Sequence, residues 1–375
     1  PYRAPLFDRI AACDDVDLVV VYAARSVAGR TWEVEPHHRA VFLHGRAVPG
    51  AARVLRHEYP LTPDVFSVLR HERPDCVVVS GWSVFASQAA VLWCLRRRVP
   101  YVLLVESHDY DPRSSWRRRI KQAVVPAVVR RAAGVLVTGS LARESMIARG
   151  ASARLIRTFA NTVDVPAFGE RADRLAARRR ELRHALGLRP DDIAVMSVAR
   201  LVPEKGLDTL VRAVAESGES RLVVVLAGAG PERSALEELA ALHDVRLLLA
   251  GELPWERVAE AYVAADVFAL LSRREPWGVV VNEATACGLP LVLSEHVGAA
   301  HDLLVPGENG FRVPVDDVAA AADALRILGG DADLRRRFGE RSREIVAGWG
   351  YEPSVEAFVA AVREAAGQGD ARASR

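Results

Sequence analysis

The stretch EPWGVVVNE holds two carboxylates, Glu275 and Glu283, with seven residues between them and a turn marked by Pro276 and Gly278. A second stretch, ARLVPEKG, holds two cations five positions apart, Arg200 and Lys205. A planar guanidinium fork beside a compact ammonium suits a diphosphate. Two acids set around a turn suit the hydroxyls of a polyol, and a glycine such as Gly278 lets backbone approach a ligand closely. Of the 50 Lys and Arg residues only Lys121 and Lys205 are lysines, so a lysine in this loop points to a specific use. The residue types together predict a site for a polyhydroxylated, phosphorylated ligand.

Parallel strands must position these groups. The apolar run at 267–271 reads as a buried strand. Residues 282–287 read as a short helix stopped by Gly288 and Pro290. Glu275 then sits on the loop at the carboxyl end of a strand, and Glu283 on the helix that follows. The segment from Val195 reads likewise as a strand running into the loop of Arg200 and Lys205. A helix follows, with Leu207, Leu210, Val211 and Val214 at helical spacing. Open α/β sheets bind ligands at that edge, where helix amides point at anions.

The same alternation runs through the chain and predicts an α/β fold of parallel sheets wound with helices. Strands are expected at 17–22, 41–43, 76–80, 101–105, 135–138 and 154–157. In the second half they are expected near 193–198, 222–227, 245–249, 267–271 and 290–293. An Arg-rich helical segment, 171–188, joins the halves, and an amphipathic helix over about 353–366 closes the chain before a tail read as disordered. A length of 375 residues asks for two cores. Residues 1–190 carry 31 basic and 18 acidic side chains, a balance of +13, and the remainder balances at −11. The positive first half suits an anionic acceptor or an anionic membrane face; no nucleic-acid-binding pattern accompanies it. No stretch is apolar enough to span a bilayer, and no secretory signal opens the chain. Cys13, Cys76, Cys94 and Cys287 lack metal-ligand spacing and read as reduced thiols.

The paired motifs Arg200-x4-Lys205 and Glu275-x7-Glu283 resemble those of the retaining glycosyltransferases of the GT-B fold, family 4 (glycosyltransferase group 1). The phrases GAGPE at 228–232, YVAADVFALLS at 262–272, EATACGLPLV at 283–292 and PGENGFRVP at 306–314 are similar too. More loosely, so are PYRAPLFDRI at 1–10, RPDCVVVSGW at 73–82, VPYVLLVESHD at 99–109 and the turn at Asn161 to Asp164. The resemblance implies two Rossmann-like domains facing a central cleft. Residues 1–165 would form the acceptor-side domain, 166–348 the nucleotide-sugar domain, and 349–375 a helix crossing back to the first domain with its disordered tail. The chain opens at Pro1 inside the segment that resembles the family's first helix. A preceding strand and phosphate-facing loop are therefore expected to be missing, and that loop's part of the donor site is unassigned.

The implied activity is transfer of a hexose from a UDP- or GDP-sugar to an acceptor hydroxyl, with retention. By resemblance, Arg200 and Lys205 neutralise the departing diphosphate without a metal or other cofactor. Glu275 grips sugar hydroxyls, and Glu283 accepts from the ribose diol. Backbone near Trp277, Gly278 and Val279 completes the phosphate and sugar contacts. Gly251, Glu252 and Leu253 meet the base, and His108 reaches the donor sugar. The expected setting is the cytoplasm, with a peripheral position on the inner membrane face as an alternative.

Other readings stay open on the residues alone. Asp15-x-Asp17 and Asp109-x-Asp111 have the form of a cation site on a diphosphate, although acidic turns account for both. Gly81-Trp82-Ser83-Val84-Phe85 lacks the second glycine of a nucleophile elbow. The basic segment from Arg113 to Arg131 reads as a solvated helix face or a membrane-surface helix. A sugar-nucleotide epimerase and a catalytically silent nucleotide-sugar-binding protein are the non-transferase alternatives.

Overall fold

The computed structural model describes residues 3–23, 36–45, 61–82, 84–106 and 124–373. His108, Asp109, Asp111 and the basic run from Arg113 to Lys121 lie outside the described residues. The chain divides into two compact units. One comprises Pro1–Asn161 with Tyr351–Arg375, the other Thr162–Gly350.

In the first unit, β1 (Val19–Tyr22) pairs in parallel with β2 (Arg39–Phe42). A separate four-stranded parallel sheet has the order β3-β4-β5-β6, from Val77–Ser80, Tyr101–Val105, Gly134–Val137 and Ile156–Thr158. Period-two alternation sends its apolar residues to both faces. Tyr101, Leu103, Val105, Val135 and Val137 face one core. Val102, Leu104 and Leu136 face another, built with Phe159, Phe358, Ala361 and Ala365. The last three belong to the terminal helix Tyr351–Ala373, which therefore packs on this sheet. Its backbone stays helical well into the segment read from sequence as a disordered tail. The anchored turns preceding it, and the helix preference of Ala371, Arg372 and Ala373, oppose the cost of Gly367 and Gly369. Over 124–131 the chain is helical, with Val125 and Val129 buried. Val125 and Val129 thus face the core, while Val124 is exposed.

The second unit is built on one parallel sheet of order β12-β11-β10-β7-β8-β9. Its strands are β7 (Ile193–Val198), β8 (Leu222–Ala227), β9 (Leu247–Gly251), β10 (Val267–Leu270), β11 (Leu291–Ser294) and β12 (Gly310–Val313). Ala194, Met196, Val223, Val225, Phe268 and Leu270 enter one core. Ile193, Val195, Leu222, Val224, Val267 and Ala269 enter the other. Continuous apolar strands buried on both faces are what a parallel sheet covered by helices requires. The edge strand β12 was not expected: Gly310-Phe311-Arg312-Val313 is short and carries an exposed arginine. The Arg-rich segment forms two helices, Val165–Ala176 and Arg179–Ala185. Two of its arginines have a structural use at the amino end of β10. Arg179 and Arg183 donate to the two oxygens of Asp266 at 2.6 and 2.8 Å, and Ala194 N donates to the second at 2.8 Å.

Candidate functional site

The four motif residues all lie in the second unit, on the loops that leave β7 and β10 and on the helix after β10. Beyond β7, Leu201 N donates to Ala229 O at 2.9 Å, and Glu232 N donates to Leu201 O at 3.0 Å. The GAGPE segment after β8 thereby fixes the loop that begins at Arg200. Arg200 is exposed and, among the described residues, makes no side-chain hydrogen bond or ion pair. The loop tightens into a 3₁₀ turn, Pro203–Lys205, and Gly206 starts the helix Leu207–Ser217. Gly206 holds φ +60°, and a Cβ there would collide with the carbonyl of Leu271 just past β10. Only glycine lets the two loops come this close.

Glu275 lies on the second of those loops, braced on both sides. Its amide donates to His296 O at 3.3 Å, while Gly298 N donates to Glu275 O at 3.0 Å and Ala299 N to Trp277 O at 2.9 Å. Nζ of Lys205 donates to Oε2 of Glu275, and both side chains are mostly buried. The cation assigned to the diphosphate and the acid assigned to the sugar therefore meet in one ion pair.

Arg273, two residues before Glu275, ties the loops together. Its amide donates to Glu204 O at 2.9 Å. Its guanidinium donates to Pro203 O at 2.6 Å, to Asp208 at 2.9 Å and, through Nε, to Asp316 at 2.8 Å. The hydrogen bonds to Asp208 and Asp316 outweigh desolvation and hold this arginine's pKa above its ordinary value. Burial alone would raise the carboxyl of Asp208, but hydrogen bonds from Arg273 and Arg212 hold it below its usual range.

The helix Val279–Ala286 begins at Gly278, whose φ is +91°. Among the described residues, the amides of Trp277, Gly278 and Val279 have no hydrogen-bond acceptor, so this helix start presents bare donors. The Trp277 side chain is not part of that surface. It is buried, stacks on Trp349 with ring centroids 5.4 Å apart, and donates from Nε1 to Asn282 Oδ1 at 2.9 Å. Asn282 in turn donates to Thr162 Oγ1 at 3.2 Å.

Glu283 follows on the same helix and is deeply buried. Tyr262 Oη donates to its Oε2 at 2.8 Å. Desolvation pushes its carboxyl up to about 7, and the tyrosine hydrogen bond only partly opposes this. Gly251, Glu252 and Leu253 end β9 and begin the next loop. Gly251 O accepts from Gly228 N at 2.7 Å, Glu252 is exposed, and Leu253 packs partly against the core.

Sequence reading missed Arg273, Tyr262 and the brace at 296–299. Tyr262 opens the phrase at 262–272 and Arg273 falls between it and the phrase at 275–283, but their partners are remote in the chain and no local pattern reveals them. Among the described residues no cluster of His, Cys, Asp or Glu could hold a metal. Asp15 pairs with Arg363 of the terminal helix. No helix among the described residues is long and apolar enough to cross a membrane. Cys13, Cys76, Cys94 and Cys287 are free, and burial pushes the thiols of the last three up to about 12.

Comparison with known proteins adds a family context. Residues 178–345 match the family described as glycosyl transferases group 1, and residues 5–162 match the glycosyl transferase 4-like domain. The chain is 33% identical over 215 residues to D-inositol 3-phosphate glycosyltransferase of Xylanimonas cellulosilytica, covering 56% of this chain and 51% of that protein. It is 29% identical over 293 residues to sulfoquinovosyl transferase SQD2 of Arabidopsis thaliana, covering 76% of this chain and 55% of that one. The chain thus spans about half the length of these curated relatives. Its fold is similar to that of Anabaena HepE, solved with UDP and glucose. The TM-score is 0.71 and the identity 18%, over 95% of this chain and 94% of that one.

Proposed function

The chain belongs to the group 1 glycosyltransferases, family 4 of the GT-B fold, and from that premise we propose that it moves a hexose from a nucleotide-diphosphate sugar to an acceptor hydroxyl, with retention at the anomeric carbon. The observation that carries this reading is the pairing of Lys205 with Glu275 beside the bare amides that open the helix at Val279. A cation, an acid and free backbone donors at one sheet edge match the diphosphate and sugar of such a donor. Arg200 and Lys205 neutralise charge as the diphosphate leaves, which is electrostatic stabilisation of developing charge. They supply what a divalent ion would otherwise provide, so the reaction proceeds without a metal or other cofactor.

Glu275 grips sugar hydroxyls. Glu283 accepts from the ribose diol. The backbone at Trp277, Gly278 and Val279 holds phosphate and sugar, and Gly251, Glu252 and Leu253 face the base. The acceptor is anionic. Supporting this are the +13 balance of residues 1–190 and a relative named for D-inositol 3-phosphate. The enzyme works in the cytoplasm, at the inner membrane face if the acceptor is a lipid.

A thermal-shift screen against UDP- and GDP-sugars tests the reading, because a ligand that binds only the folded state raises its melting temperature. The expected result is a rise of several degrees with one nucleotide class and none with free sugars. No rise with any nucleotide sugar would overturn it.

A further inference from the structure

We propose that Arg273 is a positioning residue that holds Lys205 where it meets the diphosphate. The inference rests on the site reading above and concerns a side chain that would not itself touch the donor. Arg273 uses its whole donor set on the scaffold around the Lys205 turn. Nη1 donates to Pro203 O, the first residue of that turn, at 2.6 Å. Nη1 and Nη2 both reach Asp208, on the helix that follows, at 2.9 Å. Nη2 also donates to Thr209 Oγ1 at 3.3 Å, and Nε meets Asp316 at 2.8 Å. Thr209 Oγ1 donates to Asp316 Oδ1 at 3.1 Å and closes the network. The backbone carries the same link, since the amides of Arg273 and Arg274 both donate to Glu204 O, at 2.9 and 3.3 Å. On the other side, His296 Nδ1 lies 2.9 Å from Arg273 O.

These bonds join the turn of Lys205 to the loop of Glu275. The two residues come from separate strands and are 70 positions apart in the chain, yet they meet in one mostly buried ion pair. A lysine in place of Arg273 keeps the charge but cannot serve Pro203, Asp208 and Asp316 together, because the planar fork is lost. The Lys205 turn would then be held by Gly206 and backbone alone. Misplacement of a binding group by about 1 Å costs up to about 100-fold in function.

The test is calorimetric titration of the whole protein with UDP and UMP, and with GDP and GMP. The variants are Arg273→Lys, Lys205→Ala, the double variant and Asp316→Asn. The parent should prefer the diphosphate over the monophosphate. Arg273→Lys should weaken diphosphate binding about tenfold or more while monophosphate binding stays within about twofold. In the double variant the loss should barely exceed that of Lys205→Ala, since Arg273 acts through Lys205 and coupled residues are not additive. If Arg273→Lys does not fold, Asp316→Asn removes one arm of the network and should show a smaller loss with the same selectivity. Uniform weakening of both ligands, fully additive losses, or unchanged diphosphate binding in a folded variant would overturn the proposal. A parent that does not prefer the diphosphate would instead overturn the site reading, and this inference with it.

Discussion

Lys205 and Glu275, drawn from loops after different strands, form a mostly buried ion pair in the second unit. If Lys205 turns to the diphosphate and Glu275 to the sugar, donor binding must exchange this contact for two others. Glu275→Gln weakens the resident competitor for Lys205. It should therefore leave nucleoside-diphosphate affinity unchanged or slightly raised, while transfer of the sugar falls. Calorimetry of the diphosphate beside a transfer assay separates the two. Parallel loss of both would show that Glu275 serves the phosphate side.

Glu283 gives a prediction in pH. Its carboxyl is raised from the ordinary 4.5 to about 7 by burial, so the folded state holds its proton more tightly than the unfolded state does. The sign follows from linkage: this contribution to stability is fully present below about pH 4.5 and is lost as pH rises through about 7. The shift corresponds to about 3 kcal/mol. Glu283→Gln should remove that loss, and so gain stability over the parent at pH 8 relative to pH 5 in urea unfolding. The same change should weaken nucleoside-diphosphate binding, because the ribose acceptor is altered. A parent–variant difference that does not depend on pH would contradict the burial argument. Unchanged diphosphate affinity would contradict the ribose role.

Gly206 sets the approach of the two loops. Gly206→Ala places a side chain at φ +60° and drives its Cβ into Leu271 O. A backbone shift must follow, at a cost of about 1–3 kcal/mol, with weakened diphosphate binding. Differential scanning calorimetry and titration check both. A variant with the parent's melting temperature and affinity would show that the contact relaxes freely.

Asn282 bridges the buried Trp277 and Thr162. Asn282→Leu strands the indole N–H without an acceptor, at about 1–3 kcal/mol. A drop in melting temperature is expected, together with altered fluorescence from the Trp277–Trp349 stack. Unchanged stability would mean that water or another group satisfies the indole.

Much of this fold is written in local pattern. The apolar runs at 193–198, 222–227 and 267–271 coincide with β7, β8 and β10, because a strand buried on both faces has no reason to carry polar residues. Arg200, Lys205, Glu275 and Glu283 stand out by type and spacing, and all lie on one sheet's loops and following helix. The edge strand β12 escaped because four residues with an exposed arginine make no run. The Arg273 network, the Tyr262 hydrogen bond and the Lys205–Glu275 pair were illegible for another reason. Each joins residues far apart in sequence, and their meeting depends on strand order, which no local periodicity specifies. The structural use of Trp277 escaped likewise: only tertiary packing turns its ring toward Trp349.

The most direct test of the account follows release of nucleoside diphosphate from the nucleotide sugar that raises the melting temperature, as its sugar passes to the hydroxyl of an added acceptor or to water. Parent and Lys205→Ala are compared in EDTA. The account predicts release by the parent with no added metal. For Lys205→Ala it predicts a loss of about 2–4 kcal/mol in transition-state stabilisation, or about 30- to 1000-fold in kcat/KM. Equal rates in the two proteins, or release that requires added manganese or magnesium, would contradict it.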